Sequence, residues 1–313
     1  MRRRVSWFLT KLQGIFVPLL TPVDGGGELA EGELRRLVSW VIERGAHGLY
    51  PNGTTSEFTR FTPAERRRIV EIVTDEAAGR VPVIAGAAEA NVKETLAACE
   101  AYARMGVRSA AIVAPFYYKL EAEAVHAYYA EIARHASIDI TLYNIPAFAS
   151  PIDVPAVRSL AHEFPRIIGI KDSSADIAFM LRMIADVRPS RPDFFFLTGS
   201  EAALVPMLIA GCDGGAHASA NVVPELTRQL FDLTRAGDLD AAMRLQFRVL
   251  KLLDSMLDGF DFPDGFRAGA EVRGFHMGRG RQPQSQAQRT RRAKLVGSVQ
   301  AALAKFELEP NPR

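Results

Sequence analysis

The sequence predicts an α/β chain folded as a (β/α)8 TIM barrel with a C-terminal helical appendage. Three observations predict it. From residue 14 to about 236, short β-rich apolar runs alternate with longer helical patterns, as repeated β-α units on a parallel sheet require. Eight such units can be counted, and right-handed crossovers repeated that often close most simply into a ring with helices outside. After Ala236 the strand patterns stop and only helical ones follow. The expected organisation is an N-terminal extension over 1–13, a barrel over 14–236, and a C-terminal helical domain and tail over 237–313. An open doubly wound sheet is the alternative, weakened because no GxGxxG follows the first run.

The strand candidates are Ile15–Leu20, Gly48–Tyr50, Val81–Ala85, Ala110–Val113, Ile140–Tyr143, Ile167–Ile170, Phe194–Leu197 and Cys212–Gly215. Each is short, apolar and bounded by turn-forming residues. Between and after them, 3.6-residue periodicity predicts helices at Glu31–Arg44, Thr62–Ala77, Asn91–Met105, Glu121–His135, Val154–Glu163, Ile177–Val187, Glu201–Ala210 and Pro224–Ala236. Thr62-Pro63-Ala64-Glu65 is a capping box with proline at the first helical position, and Asn91 followed by Glu94 repeats the cap-plus-acid arrangement. The appendage reads as helices at Asp238–Leu257, Asp264–Phe275 and Gln286–Phe306.

At 313 residues, with 48% hydrophobic and 24% charged residues, the chain is long enough for one large core and is not of disordered composition. A formal charge of +2 with mixed signs excludes a field that gathers polyanions. The basic tract from Arg279 to Lys294 lacks the aromatics a nucleic-acid platform needs and is expected to be a solvated linker. Cys99 and Cys212 fall in separate apolar segments and read as small buried hydrophobes, with no disulfide and no metal site. The apolar part of the N-terminus ends at Leu9, too short to export or anchor, and charges or glycines interrupt every later run. The expectation is a cytoplasmic protein with no membrane and no nucleic-acid partner.

In a barrel, reactive groups stand where strands end. Lys171 directly follows Ile167-Ile168-Gly169-Ile170 and would project into the barrel mouth, where apolar walls favour the uncharged amine that attacks a ketone. The bland reading is a rim lysine paired with Asp172. One strand earlier stands Tyr143, able to move a proton or merely to fill the core. Gly53-Thr54-Thr55 offers backbone N–H groups and two hydroxyls suited to a carboxylate, or forms an ordinary turn, and Glu57 beside it reads as structural. His217 and Glu201 stand near the last two strands, and a helix-terminal acid explains Glu201 as well as a substrate contact does.

Gly53-Thr54-Thr55-Ser56-Glu57, Pro115-Phe116-Tyr117, Tyr143-Asn144-Ile145-Pro146 and Ile170-Lys171-Asp172 together resemble the dihydrodipicolinate synthase/N-acetylneuraminate lyase family, in order and spacing, over roughly residues 14 to 300. The resemblance implies a pyruvate-dependent class I aldolase or lyase, with Lys171 as the Schiff-base residue and Tyr143 as the phenolic proton shuttle. It implies that Thr54 and Thr55 hold the 2-oxo acid's carboxylate, with Thr55 also the relay hydroxyl. Tyr117 matches a tyrosine that reaches into a neighbouring subunit, so a homodimer or homotetramer is implied. No cofactor is implied, because the iminium serves as the electron sink.

Two positions depart from the family pattern. Ser56 replaces a glycine, which puts the turn geometry in question. Phe148 stands two residues after the proline of Tyr-Asn-x-Pro, where true dihydrodipicolinate synthases carry a carboxylate-clamping arginine; an apolar ring is no substitute for a bidentate cation. Ala147-Phe148 resembles the apolar pair of the family's sugar-acid lyases, and Glu201 lies where those lyases meet a polyol. The expected substrate is therefore a 2-keto-3-deoxy sugar acid or related 2-oxo acid. Dihydrodipicolinate synthase, a 2-oxo acid dehydratase and a non-catalytic binding barrel are the alternatives.

Overall fold

The computed structural model describes residues 11–257 and 261–308. Residues 1–10 of the expected extension and 309–313 of the expected tail lie outside the described residues. Eight parallel strands form one sheet: β1 Gly14–Pro18, β2 Gly48–Tyr50, β3 Ile84–Gly86, β4 Ser109–Val113, β5 Ile140–Asn144, β6 Ile167–Asp172, β7 Phe195–Thr198 and β8 Gly214–Ala216. Their order is β2-β1-β8-β7-β6-β5-β4-β3, and a parallel bridge between Leu49 and Val83 joins the two ends into a barrel.

Around it run α1 Glu31–Glu43, α2 Pro63–Ala77, α3 Val92–Met105, α4 Ala122–His135, α5 Val154–Glu163, α6 Ile177–Val187, α7 Leu204–Ile209 and α8 Pro224–Arg235. Then α9 Leu239–Leu257, α10 Asp264–Val272 and α11 Gln286–Leu303 pack on one another, with α9 also against α7 and α8. The caps read from sequence are made. The Thr62 hydroxyl accepts from the Glu65 N–H while the Glu65 carboxylate accepts from the Thr62 N–H, and Asn91 Oδ1 accepts from the Glu94 N–H.

Strand periodicity sorts the core into two layers. Ile15, Val17, Leu142, Ile170 and Phe196 face outward onto the helices, whereas Phe16, Tyr50, Ala111, Tyr143, Phe195 and Leu197 fill the barrel interior, with Leu12 at its base. Because Ile170 faces outward, Lys171 one residue later must face in.

Several element ends differ from the sequence expectation by two or three residues, and two of these shifts have a plain local cause. The third strand begins at Ile84 and not at Val81, because Pro82 has no N–H for a ladder and contributes only its carbonyl, to Leu49 N–H. The seventh helix begins at Leu204 after a 3₁₀ turn at Glu201–Ala203, with Pro206 in its first turn where a missing N–H is harmless. The basic tract is not simply a solvated linker. Arg281 pairs with Glu65 and lies over the Phe61 ring, Arg292 pairs with Glu271, and α11 also carries Arg289, Arg291 and Lys294. Cys99 and Cys212 are free and buried, and burial pushes both thiols up to about 12.

Close approach between β1 and β8 requires glycine. A Cβ on Gly214 would collide with the Gly14 carbonyl oxygen, a backbone atom that cannot rotate away. Gly214→Ala is expected to destabilise the barrel by about 1–3 kcal/mol, read as a lowered urea midpoint.

Candidate active site

β5 and β6 run in register so that Tyr143 lies beside Lys171 and Asn144 beside Asp172. The Lys171 side chain is 6% exposed at the C-terminal end of the barrel, with Nζ 4.1 Å from the Tyr143 ring centroid and 5.0 Å from that of Tyr50. The rim pairing with Asp172 is not made. Asp172 faces the opposite side of the strand, where its carboxylate accepts from Asn144 Nδ2 at 2.7 Å and from the Ser174 hydroxyl at 2.7 Å. Burial raises its pKa and these hydrogen bonds oppose the rise. Asn144 also accepts from Ile152 N–H, so the Tyr-Asn-x-Pro asparagine staples β5 to β6 and to the loop beyond.

The loop after β2 supplies the next group. Thr54 Oγ1 lies 3.0 Å from the Tyr143 hydroxyl. The sequence expectation put the relay hydroxyl on Thr55; the hydrogen bond is made by Thr54, and Thr55 is buried beside it. The left-handed residues of this loop are Asn52 and Glu57, both at φ 57°, so Ser56 needs no glycine conformation and its hydroxyl instead donates to Leu19 O at 2.6 Å.

Buried ion pairs fix that loop from two sides. Glu57 accepts from Arg267 Nη1 at 2.9 Å and also binds Arg60; Arg267 donates further to the carbonyls of Thr21 and Met277. Behind it, Asn52 Nδ2 donates to Arg66 O and Tyr102 hydroxyl, and Arg66 pairs with Glu89, Nε to Oε1 at 3.1 Å. Sequence reasoning did not find Arg267. It lies 210 positions from Glu57, and the one signal was a cation embedded among Gly and Ala in a short helix.

A cavity of about 300 Å³ opens beside Tyr50, Thr54 and Tyr143. Gly53 and Phe148 also line it, Phe148 with 60% of its surface exposed. Phe58, Phe116 and Phe262 complete its aromatic wall, a feature that strand-end reasoning did not collect. Tyr117 is 85% exposed, packs edge-on against Tyr118 at 4.9 Å between centroids, and does not line the cavity that Tyr143 lines.

Glu201 and His217 do not line this cavity, and neither do Lys171 and Thr55. Glu201 Oε1 accepts from Ser219 N–H at 3.0 Å and Oε2 is buried without a partner; burial raises its pKa, opposed by hydrogen bonds from Ser219 and Ala218 and by the charge of Lys171. Burial, then Lys171, pulls His217 down to about 3. Its native value lies below the ordinary 6.5, so the unfolded chain binds more protons between those limits and stability falls as pH falls through that window. The stability advantage of the unaltered chain over His217→Asn is expected to shrink by about 1.4 kcal/mol per pH unit on acidification from 6 to 4, measured as paired urea midpoints. Protonation of Glu201 works in the opposite direction but is common to both proteins.

Among the described residues no group of three or more His, Cys, Asp or Glu side chains is placed to hold a metal, and no helix is long and apolar enough to cross a membrane. Residues 11–302 match the family model described as the dihydrodipicolinate synthetase family. The chain belongs to that family. As a dihydrodipicolinate synthetase family protein it is a pyruvate-dependent lyase or aldolase of class I. It is 33% identical over 273 residues to an uncharacterised DapA-like lyase of Halobacterium salinarum, covering 87% of this chain and 88% of that one. It is 36% identical over 241 residues to the 4-hydroxy-tetrahydrodipicolinate synthase of Thermus thermophilus, covering 76% and 79%. Its fold is similar to that of YagE, a prophage protein of the dihydrodipicolinic acid synthase family from E. coli K12 in complex with pyruvate. The TM-score is 0.85 at 26% identity, covering 93% of this chain and 98% of that one.

Proposed function

We propose that this family member makes or cleaves a carbon–carbon bond of a 4-hydroxy-2-oxo acid through a Schiff base on Lys171. The observation that carries the reading is the buried Lys171 amine lying 4.1 Å from the centre of the Tyr143 ring, with its neighbouring carboxylate occupied elsewhere. In the cleavage direction the amine attacks C2, and the carbinolamine loses water as Tyr143 supplies a proton. A base removes the C4 hydroxyl proton, the C3–C4 bond breaks with its electron pair passing into the iminium, and an aldehyde leaves. The enamine is protonated at C3, and hydrolysis returns pyruvate and free Lys171. Atoms and electrons balance without a redox partner.

Thr54 carries protons to and from Tyr143, while the Gly53–Thr55 backbone and Thr55 hold the substrate carboxylate. Tyr117, exposed at the mouth, completes the relay of a partner subunit in a cytoplasmic homodimer or homotetramer. Thr54→Val is expected to lower kcat by about 10²–10⁴-fold, and Thr55→Val chiefly to raise KM for the 2-oxo acid. Steady-state kinetics of both variants separate relay from binding. The reading itself is tested by incubating 4-hydroxy-2-oxo acids with the protein and following pyruvate release. Release that Lys171→Met abolishes supports it; dehydration products alone would favour the dehydratase alternative.

Condensation with aspartate semialdehyde is the second reading within the same chemistry. Phe148 weighs against it, because the cavity wall offers a ring where a carboxylate clamp is needed.

A further inference from the structure

Resting on the Schiff-base reading above, we infer that Tyr50 is a second phenol of the reaction site and that its hydroxyl donates to the carboxylate of the 2-oxo acid bound on Lys171. Among the described residues four tyrosines are buried, and three of their hydroxyls have partners in the protein. Tyr102 donates to Gly86 O at 3.3 Å, Tyr129 donates to Ile112 O at 2.9 Å, and Tyr143 meets Thr54 Oγ1 at 3.0 Å. Tyr50 is only 3% exposed, yet its hydroxyl makes no hydrogen bond among the described residues. A buried donor left without an acceptor costs about 1–3 kcal/mol, and a ligand that brings the acceptor removes that cost.

The position of Tyr50 says which acceptor. Tyr50 closes β2 with its ring inside the barrel, edge-on to Tyr143 at 6.1 Å between centroids. Lys171 Nζ is 5.0 Å from the Tyr50 centroid, so this ring joins the amine to the cavity that Tyr50 lines with Thr54 and Tyr143. Gly53 packs on the far end of the ring: a Cβ there would come 3.4 Å from Tyr50 Cζ, the carbon that bears the hydroxyl. The hydroxyl end of the phenol therefore meets the same Gly53–Thr55 stretch to which the carboxylate is assigned. In the adduct that carboxylate is separated from Nζ only by C2. Burial, then Tyr143, pushes the Tyr50 pKa above the ordinary phenol range, so the hydroxyl keeps its proton beside an anion. A hydrogen bond from a neutral donor to a carboxylate is stronger than one between neutral groups. Tyr143, already tied to Thr54, is left to move protons while Tyr50 binds.

Tyr50→Phe keeps the ring and its edge contact with Tyr143 and deletes only the hydroxyl. The test traps pyruvate with cyanoborohydride at rising pyruvate concentration and reads the initial rate of adduct formation by mass, on the unaltered protein and on Tyr50→Phe. Urea midpoints of both are measured alongside. In the variant the half-saturating pyruvate concentration is expected to rise about tenfold or more, with the maximal trapping rate within about twofold and the urea midpoint unchanged. If the unaltered protein forms no adduct, the Schiff-base reading fails and this inference with it. If the adduct forms, a half-saturating concentration that does not move overturns this inference alone. A lowered urea midpoint in Tyr50→Phe does the same, because the hydroxyl would then have its partner in the protein itself.

Discussion

Lys171→Met loses catalysis by on the order of 10⁴-fold or more and leaves the fold standing. Methionine matches the lysine stem in length and fills its buried space, while the Nζ that lies over the Tyr143 and Tyr50 rings is removed. Lys171→Arg is expected to be equally inactive, since a guanidinium keeps the charge but does not form an iminium with a ketone. The two variants together separate a nucleophilic role from an electrostatic one. If Lys171 merely supplied a positive charge for the substrate carboxylate, arginine would restore a substantial part of the rate. The measurement is pyruvate release or consumption, with circular dichroism to show that each variant is folded.

Arg267→Leu is expected to lower stability by about 3–5 kcal/mol and to reduce activity, although Arg267 touches no substrate. The side chain is almost wholly buried, and its removal leaves Glu57 with Arg60, strips the Arg267 donor from the carbonyl of Thr21, and leaves that of Met277 with the Val23 N–H. Burial lowers the pKa of Arg267 and the Glu57 carboxylate opposes that fall, so the pair stands or falls together. Glu57 holds the C-terminal end of the loop that carries Thr54 to Tyr143, which links α10 to the proton relay. The double variant Arg267→Leu/Glu57→Leu is expected to recover part of the lost stability, because it no longer buries a poorly paired carboxylate. Urea denaturation of the single and double variants checks the first claim, and kcat of Arg267→Leu checks the second. An unchanged kcat would mean that the loop holds its geometry without the anchor.

The barrel was legible because its signals are local. Short apolar strand runs, caps at Thr62 and Asn91, and the end of strand patterning at Ala236 each depend on a few neighbouring residues. Lys171 and Tyr143 could be placed at strand ends for the same reason, and the barrel register puts them side by side. Which threonine of an adjacent pair meets Tyr143 depends on the φ values at Asn52 and Glu57, which residue type alone does not fix. The Arg267–Glu57 pair and the four-phenylalanine wall draw on segments far apart in the chain, and no periodicity marks them. Glu201 shows the converse: its position near the barrel mouth was legible, but the direction of its carboxylate is set by the backbone N–H of Ser219.

The proposed chemistry rests on a covalent bond between the Lys171 amine and a 2-oxo acid. Incubating the protein with pyruvate, reducing with borohydride and mapping the modified peptide by mass spectrometry reads that bond directly. One reduced pyruvate per chain is expected on the peptide carrying Lys171, and none on Lys171→Met. A protein that stays unmodified, or that carries the label on a different lysine, would contradict it.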